Sequence, residues 1–252
     1  MPENIRLGQI LDLVRRDGKV TTDSLAQTFD VTVQTARRDL AALCDTGQLT
    51  RVYGGAVLPS GTRNIGHHDR QTLHAEAKTA MAQLIAARIP NGASVFLDIG
   101  TTLESVAEAL RNHQNLMVIT NNLHVGNILA YAPGIDVILT GGLLRPADGG
   151  LVGEVTAEFV QQFRPDYALL GASALSADGD ALDFDFREVR VAQAVKKRAH
   201  QSILMADSSK FTRSAPVCIA QIADFNTFVT DAQPPDTVQS ACRETGCKIL
   251  TP

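Results

Sequence analysis

Two groups of residues in this sequence have the types and spacing to recognise a partner. The first is Gln34-Thr35-Ala36-Arg37-Arg38, with Arg51 further along. A glutamine amide can address adenine bidentately, and an arginine fork can address guanine or a phosphate. Gln34 and Arg38 therefore read as base-edge contacts with Thr35 beside them, and Arg37 and Arg51 as phosphate contacts. The second group is Asp98-Ile99-Gly100-Thr101-Thr102, with Asn121-Asn122 and Lys210. Amides opening a helix, two threonine hydroxyls and an ammonium suit a phosphoryl group. Asp98, Asn121 and Asn122 can bond hydroxyls.

The first group requires a helix with one polar face. At about 100° per residue, Val33, Ala36, Leu40, Leu43 and Cys44 share one arc and Gln34, Thr35, Arg38 and Ala42 the other. The apolar arc predicts packing on two earlier helices. Leu7, Ile10, Leu11 and Val14 mark the first of these, ended by Gly18. Thr22-Asp23-Ser24-Leu25 opens the second, which ends near Phe29. Asp30-Val31-Thr32 is the turn, with Thr32 as N-cap of a third helix running to about Thr46, where Gly47 stops it. Leu49 to Leu58 alternates around Tyr53-Gly54-Gly55 as a β-hairpin wing. Residues 1–58 thus predict a winged helix-turn-helix. Its seven basic and seven acidic groups cancel, so the chain's net charge of −4 lies beyond it. DNA binding must come from local placement of cations, not from a bulk field.

Residues 59–72 lack a sustained period and read as a linker. His67 and His68 lie in it and read as an exposed loop pair with no third ligand placed nearby. No metal and no cofactor are expected, and Cys242 and Cys247 are not at a zinc-like spacing. From 73 to 252, after a helix from Leu73 to Arg88, short apolar runs alternate with helices. The strand candidates are Ser94–Asp98, Leu116–Thr120, Ile135–Thr140, Tyr167–Gly171, Ser202–Ala206, Thr227–Thr230 and Lys248–Leu250. This predicts an α/β domain with a mostly parallel sheet covered on both faces. Ligands of such sheets bind beyond the carboxyl ends of the strands. The Asp98 loop, Asn121-Asn122, Gly141-Gly142, Gly171-Ala172-Ser173 and Asp207-Ser208-Ser209-Lys210 all fall at that edge. Arg145 falls in Arg145-Pro146-Ala147-Asp148-Gly149-Gly150, read as a mobile loop.

Composition narrows the class. With 44% hydrophobic and 20% charged residues the chain reads as globular. No apolar run approaches a membrane span and no signal core follows Met1, so a cytoplasmic protein without membrane contact is expected. Four cysteines in 252 residues read as reduced thiols.

Val31-Thr32-Val33-Gln34-Thr35-Ala36-Arg37-Arg38-Asp39-Leu40, followed by Leu49-Thr50-Arg51-Val52-Tyr53-Gly54-Gly55-Ala56, resembles the DeoR family of bacterial repressors. The family usually has isoleucine where Ala36 stands and often histidine where Tyr53 stands. The resemblance implies a winged DNA-binding domain with Arg37-Arg38-Asp39 on the recognition helix, and a sensor domain similar in fold to ribose-5-phosphate isomerase. Within the family, Ile89-Pro90-Asn91-Gly92, Asp98 to Thr102, Thr120-Asn121-Asn122-Leu123, Asp148-Gly149-Gly150 and Phe184 to Arg190 resemble a branch whose effector is glycerol 3-phosphate. By that resemblance Asp185, Arg187 and Glu188 lie in a loop closing over the effector, and the protein is a tetramer; paired operator half-sites by themselves require a dimer. The expected partners are operator double-stranded DNA, glycerol 3-phosphate or a related phosphosugar, and further copies of the chain.

Two alternatives remain. One is a regulator of the same family sensing another phosphosugar. The other is an isomerase using Asp98, Asp183, Asp185, Glu188 or Lys210 as base and electrophile. A catalytic domain has no need of the N-terminal module, so no catalytic residues and no enzyme activity are expected.

Overall fold

The computed structural model describes residues 3–17, 19–46, 48–52, 54–57 and 66–252. The expected helix stop Gly18, helix end Gly47, wing residues Tyr53 and Leu58 and the first half of the linker, residues 59–65, lie outside the described residues.

The N-terminal unit comprises α1 (Glu3–Asp17), β1 (Lys19–Thr21), α2 (Thr22–Phe29), α3 (Val33–Asp45), β2 (Thr50–Val52) and β3 (Gly55–Val57). Ile10 and Val14 of α1, Leu25 of α2 and Ala36, Leu40 and Leu43 of α3 close around Leu49 and Ala56 in one core. The Thr21 side chain caps α2 and Thr32 caps α3. Strand β1 was not foreseen. It pairs antiparallel with β3, which also pairs with β2, so the wing is a three-stranded sheet. The close approach of β3 explains Gly55, where a Cβ would meet the Val20 carbonyl oxygen at 1.9 Å.

The larger unit begins with α4 (His67–Thr72) and α5 (Ala75–Ala86). Then come β4 (Ser94–Leu97), α6 (Thr101–Leu110), β5 (Leu116–Thr120), α7 (Leu123–Leu129) and β6 (Ile135–Leu139). A hairpin of β7 (Leu143–Arg145) and β8 (Gly150–Val152) leads to α8 (Glu154–Val160) and β9 (Tyr167–Gly171). Next are β10 (Ala174–Leu175), β11 (Asp180–Asp183), α9 (Phe186–Lys196), β12 (Gln201–Met205) and a 3-10 turn at Ser208–Thr212. The chain finishes with β13 (Val217–Gln221), β14 (Thr227–Val229), α10 (Asp236–Thr245) and β15 (Lys248–Leu250).

The seven strands expected from apolar runs form one sheet of order β15-β14-β12-β9-β4-β5-β6, with every pairing parallel. Side chains alternate between two helical layers, as a pleat requires. Val95 and Leu97 of β4 pack with α5, α6 and α7, whereas Phe96 faces the core built by α8, α9 and α10. Strands β10, β11 and β13 form a separate antiparallel sheet that the sequence reading did not foresee. β10 spans only two residues and β11 is half-polar, so neither carries a marked period. Among the described residues, no helix is long and apolar enough to cross a membrane.

Strand order places the ligand crevice. From β4 the chain moves outward through β5 and β6, while β9 returns to its other side and leads outward through β12, β14 and β15. The loops after β4 and β9 therefore diverge and leave a gap between them.

Candidate functional site

On α3, Gln34, Arg37 and Arg38 are exposed, and Arg51 of β2 is exposed beside them. Arg37 and Arg51 line one groove with Thr22, Asp23, Leu40, Gly54 and Gly55, so recognition helix and wing share a polar surface. Thr35 is half-buried, its amide and hydroxyl both engaged by Thr32. Val33 departs from expectation: it is 37% exposed, because the first residue of α3 projects beyond the core. Ala36 is fully packed.

Asp39 had no role in the helical wheel, yet it is 2% exposed and takes a two-pronged ion pair from Arg6 of α1, at 2.6 and 3.1 Å. This pair fixes the roll of α3 against α1 while Arg37 and Arg38 stay outside. A one-sequence wheel cannot assign an aspartate to a buried partner 33 residues away.

In the larger unit, a cavity opens at the gap between β4 and β9. Its lining includes Gly100, Thr101, Thr102, Gly171, Ser173, Lys210, Asp183, Glu188 and Arg70. Gly100 precedes α6 at φ +136°, and no side chain caps that helix. The leading amides of α6 thus point at the cavity with half-buried Lys210 nearby. Burial pushes the Lys210 ammonium down to about 7, against the pull of Asp207. Burial likewise lowers Lys78 to about 8. Cations held this far from bulk water favour an anionic partner.

Part of the lining is acidic, through Asp183 and Glu188. Burial raises Asp98 to about 7 and also lifts Asp183 and Glu188. Arg145 gathers several carboxylates beside the cavity, donating to Asp148 and to Asp185 at 2.8 and 3.0 Å and also to Glu188. Its loop is therefore tethered, contrary to the mobile segment expected. Burial alone would lower Arg145, but Glu188 and Asp148 hold it above its ordinary value.

Five residues expected at the ligand do not line the cavity. Asp98 is buried behind it, with its carboxylate turned onto the Ile99 amide. Asn121 is buried and bonds the Leu151 carbonyl, and Asn122 caps α7 through its own side chain. The Gly141 carbonyl accepts from Thr156 at the far edge of the sheet. Asp185 is not in a covering loop: it is the N-cap of α9, and its bonds to Arg187 lower it to about 2. Glu188, one turn into α9, is the member of that segment that reaches the cavity.

The sequence reading missed Arg70. It falls in the stretch taken as linker, but residues 67–72 form α4. Arg70 lines the cavity, its carbonyl accepts from Thr101 and Lys78, and its buried Nε has no partner. Its sequence neighbours carry no period that would have placed it there. His67 is also not an exposed loop residue. Its ring stacks on His124 and its Nε2 meets Glu104, while His68 is exposed.

Comparison with known proteins agrees with this architecture. Residues 6–62 match the DeoR-like helix-turn-helix domain and residues 73–232 the DeoR C-terminal sensor domain. The chain is 43% identical over 238 residues to the glycerol-3-phosphate regulon repressor of Escherichia coli (strain K12), covering 94% of each chain. It is 42% identical over 250 residues to the repressor of the same name from Haemophilus influenzae, covering 99% of this chain and 97% of that one. Among solved structures, ribose 5-phosphate isomerase A from Neisseria gonorrhoeae superposes with a TM-score of 0.40 at 16% identity, over 56% of each chain. With both of its domains matched and near full-length relatives at this identity, the chain belongs to the DeoR family of helix-turn-helix regulators.

Proposed function

We propose that this protein is a transcriptional repressor of glycerol 3-phosphate metabolism genes that leaves its operator on binding glycerol 3-phosphate. The observation that carries the effector class is the polarity of the cavity. Arg70, Lys210 and the open start of α6 suit a phosphoryl group, and Asp183, Glu188 and Ser173 suit hydroxyls. The names of the relatives favour glycerol 3-phosphate over other phosphorylated polyols. The effector set proposed from sequence, Asp98, Gly100, Thr101, Thr102, Asn121, Asn122, Gly141, Gly171, Asp185, Glu188 and Lys210, divides accordingly. Gly100, Thr101, Thr102, Gly171, Glu188 and Lys210 make contact; the other five stand outside the lining, Gly141 at the far edge of the sheet.

On the DNA side, Gln34 and Arg38 read base edges while Arg37 and Arg51 hold the backbone, with Thr35 supporting the first turn of α3. Two copies place two α3 helices in successive half-sites about 34 Å apart. Leu139 on edge strand β6, Leu143 and Leu144 on the β7–β8 hairpin and Val155 on α8 are exposed apolar residues that favour self-association. Effector binding favours an arrangement that no longer matches the operator; a tenfold loss of affinity needs a coupling of about 1.4 kcal/mol.

The test is operator titration at fixed salt with and without saturating glycerol 3-phosphate. Unchanged operator affinity overturns the reading. A thermal-shift panel of phosphosugars identifies the effector, since ligand at 100 times its dissociation constant stabilises the folded state by about 2.7 kcal/mol.

A further inference from the structure

Three elements bring metal-binding side chains together beside the pocket but outside its lining. His67 opens α4, Glu104 lies in the first turn of α6 and His124 in the first turn of α7. One ligand atom from each falls within 4.8 Å of the others. His67 Nε2 is 2.8 Å from Glu104 Oε1, and the two imidazole rings stack with centroids 4.3 Å apart. Glu104 is only 6% exposed.

We infer that His67, Glu104 and His124 form a zinc-binding site that pins α4 to the sensor domain. Two imidazoles and one carboxylate are a donor set suited to zinc, with a fourth position left for water. Calcium and magnesium are disfavoured, because they take six or more ligands, mostly oxygen. The amides around Glu104 support this role. Gln71 Nε2 approaches one carboxylate oxygen at 3.4 Å and Asn122 Nδ2 the other at 3.5 Å. Asn122 also accepts from the His124 backbone amide through its Oδ1, so the side chain that approaches Glu104 also caps the helix on which His124 stands.

Charge argues in the same direction. A buried carboxylate needs a compensating cation, and a divalent ion held by the three side chains supplies it to Glu104. An ion common to both rings cannot lie in two nearly parallel planes, so the rings tilt out of their 11° stack on binding. Because α4 also carries Arg70, the ion stiffens the helix that brings Arg70 to the cavity. The inference rests on the cluster alone, not on the identity of the effector.

The test uses full-length protein treated with chelator and then titrated with zinc by calorimetry. Cobalt(II) serves as a spectroscopic probe, and circular dichroism confirms folding of each variant. The expected result is one ion per chain, with visible absorption for cobalt in a nitrogen-containing site of low coordination number. His124→Asn and His67→Gln should each weaken binding by more than about 100-fold, beyond the usual range for outer-shell residues. His68→Asn, altering the exposed neighbour, should bind as wild type. Absence of stoichiometric binding to the wild-type chain overturns the inference, as does undiminished binding by folded His124→Asn and His67→Gln proteins.

Discussion

Arg70 Nη2 donates to Asp148 Oδ2 at 3.1 Å, joining helix α4 to the loop between β7 and β8. Asp148 also receives both prongs of Arg145, so one carboxylate links two arginines, Arg70 of the cavity lining and Arg145 beside Glu188. On the proposed function, a phosphoryl group arriving at Arg70 would compete with Asp148 for the same guanidinium. Its binding would thereby be tied to the position of α4, the first described helix after the helix-turn-helix domain.

Arg70→Gln is therefore expected to weaken glycerol 3-phosphate binding by about 10- to 100-fold, the loss of one charge-assisted hydrogen bond. Operator affinity without effector should stay near wild type. Calorimetry on the effector and an operator shift assay on the same protein check both halves.

Lys210 gives a signed pH dependence. Its folded value near 7 lies below its ordinary 10.5, so between these values the unfolded chain holds more protons, and its contribution to stability rises with pH. A bound phosphate favours the ammonium and draws a proton in. Effector binding at pH 8 should show proton uptake, read as a buffer-dependent binding enthalpy, and affinity should decline at higher pH. Lys210→Met should lose the uptake and blunt derepression while sparing operator binding.

Asp98 acts in the opposite sense. Its folded value near 7 exceeds its ordinary 3.8, so between these values the native state holds more protons and stability falls as pH rises. Asp98→Asn should remove that decline, with its advantage over wild type growing from pH 4 to 7 in chemical denaturation. A constant difference across this window would refute burial as the origin of the shift.

Arg6→Met should destabilise the helix-turn-helix domain by about 3–5 kcal/mol, because Asp39 is then left buried without its cation. The double change Arg6→Met with Asp39→Leu should recover much of this loss. Thermal melts of the three proteins decide it.

Surface substitutions on the reading helix should separate specificity from affinity. Gln34→Ala and Arg38→Ala should each cost about 1–3 kcal/mol of discrimination at one base position. Arg51→Ala should weaken all sequences alike and reduce the salt dependence by about one counterion. Binding to a library of operator variants at several salt concentrations distinguishes the two patterns.

The seven strands of the parallel sheet were legible because a strand buried on both faces must be apolar along its length, as in Val95-Phe96-Leu97. Helix α3 was legible because its period and the Thr32 cap are local properties. Asp39 and Arg70 were not, since each is defined by a partner far along the chain, Arg6 or Asp148. Asp98 and Asn121 were placed at the correct strand ends but on the wrong side of the cavity wall. Sequence fixes which loops gather at the carboxyl edge; the direction of each side chain depends on packing around the gap between β4 and β9. In this way the order of residues alone determined a helix with one exposed polar face and a covered parallel sheet, both set by periodicity. Which charges face the cavity, which lie behind it, and how α4 joins the sensor domain were decided only in three dimensions, where burial draws charges such as Asp39 and Asp148 onto distant partners.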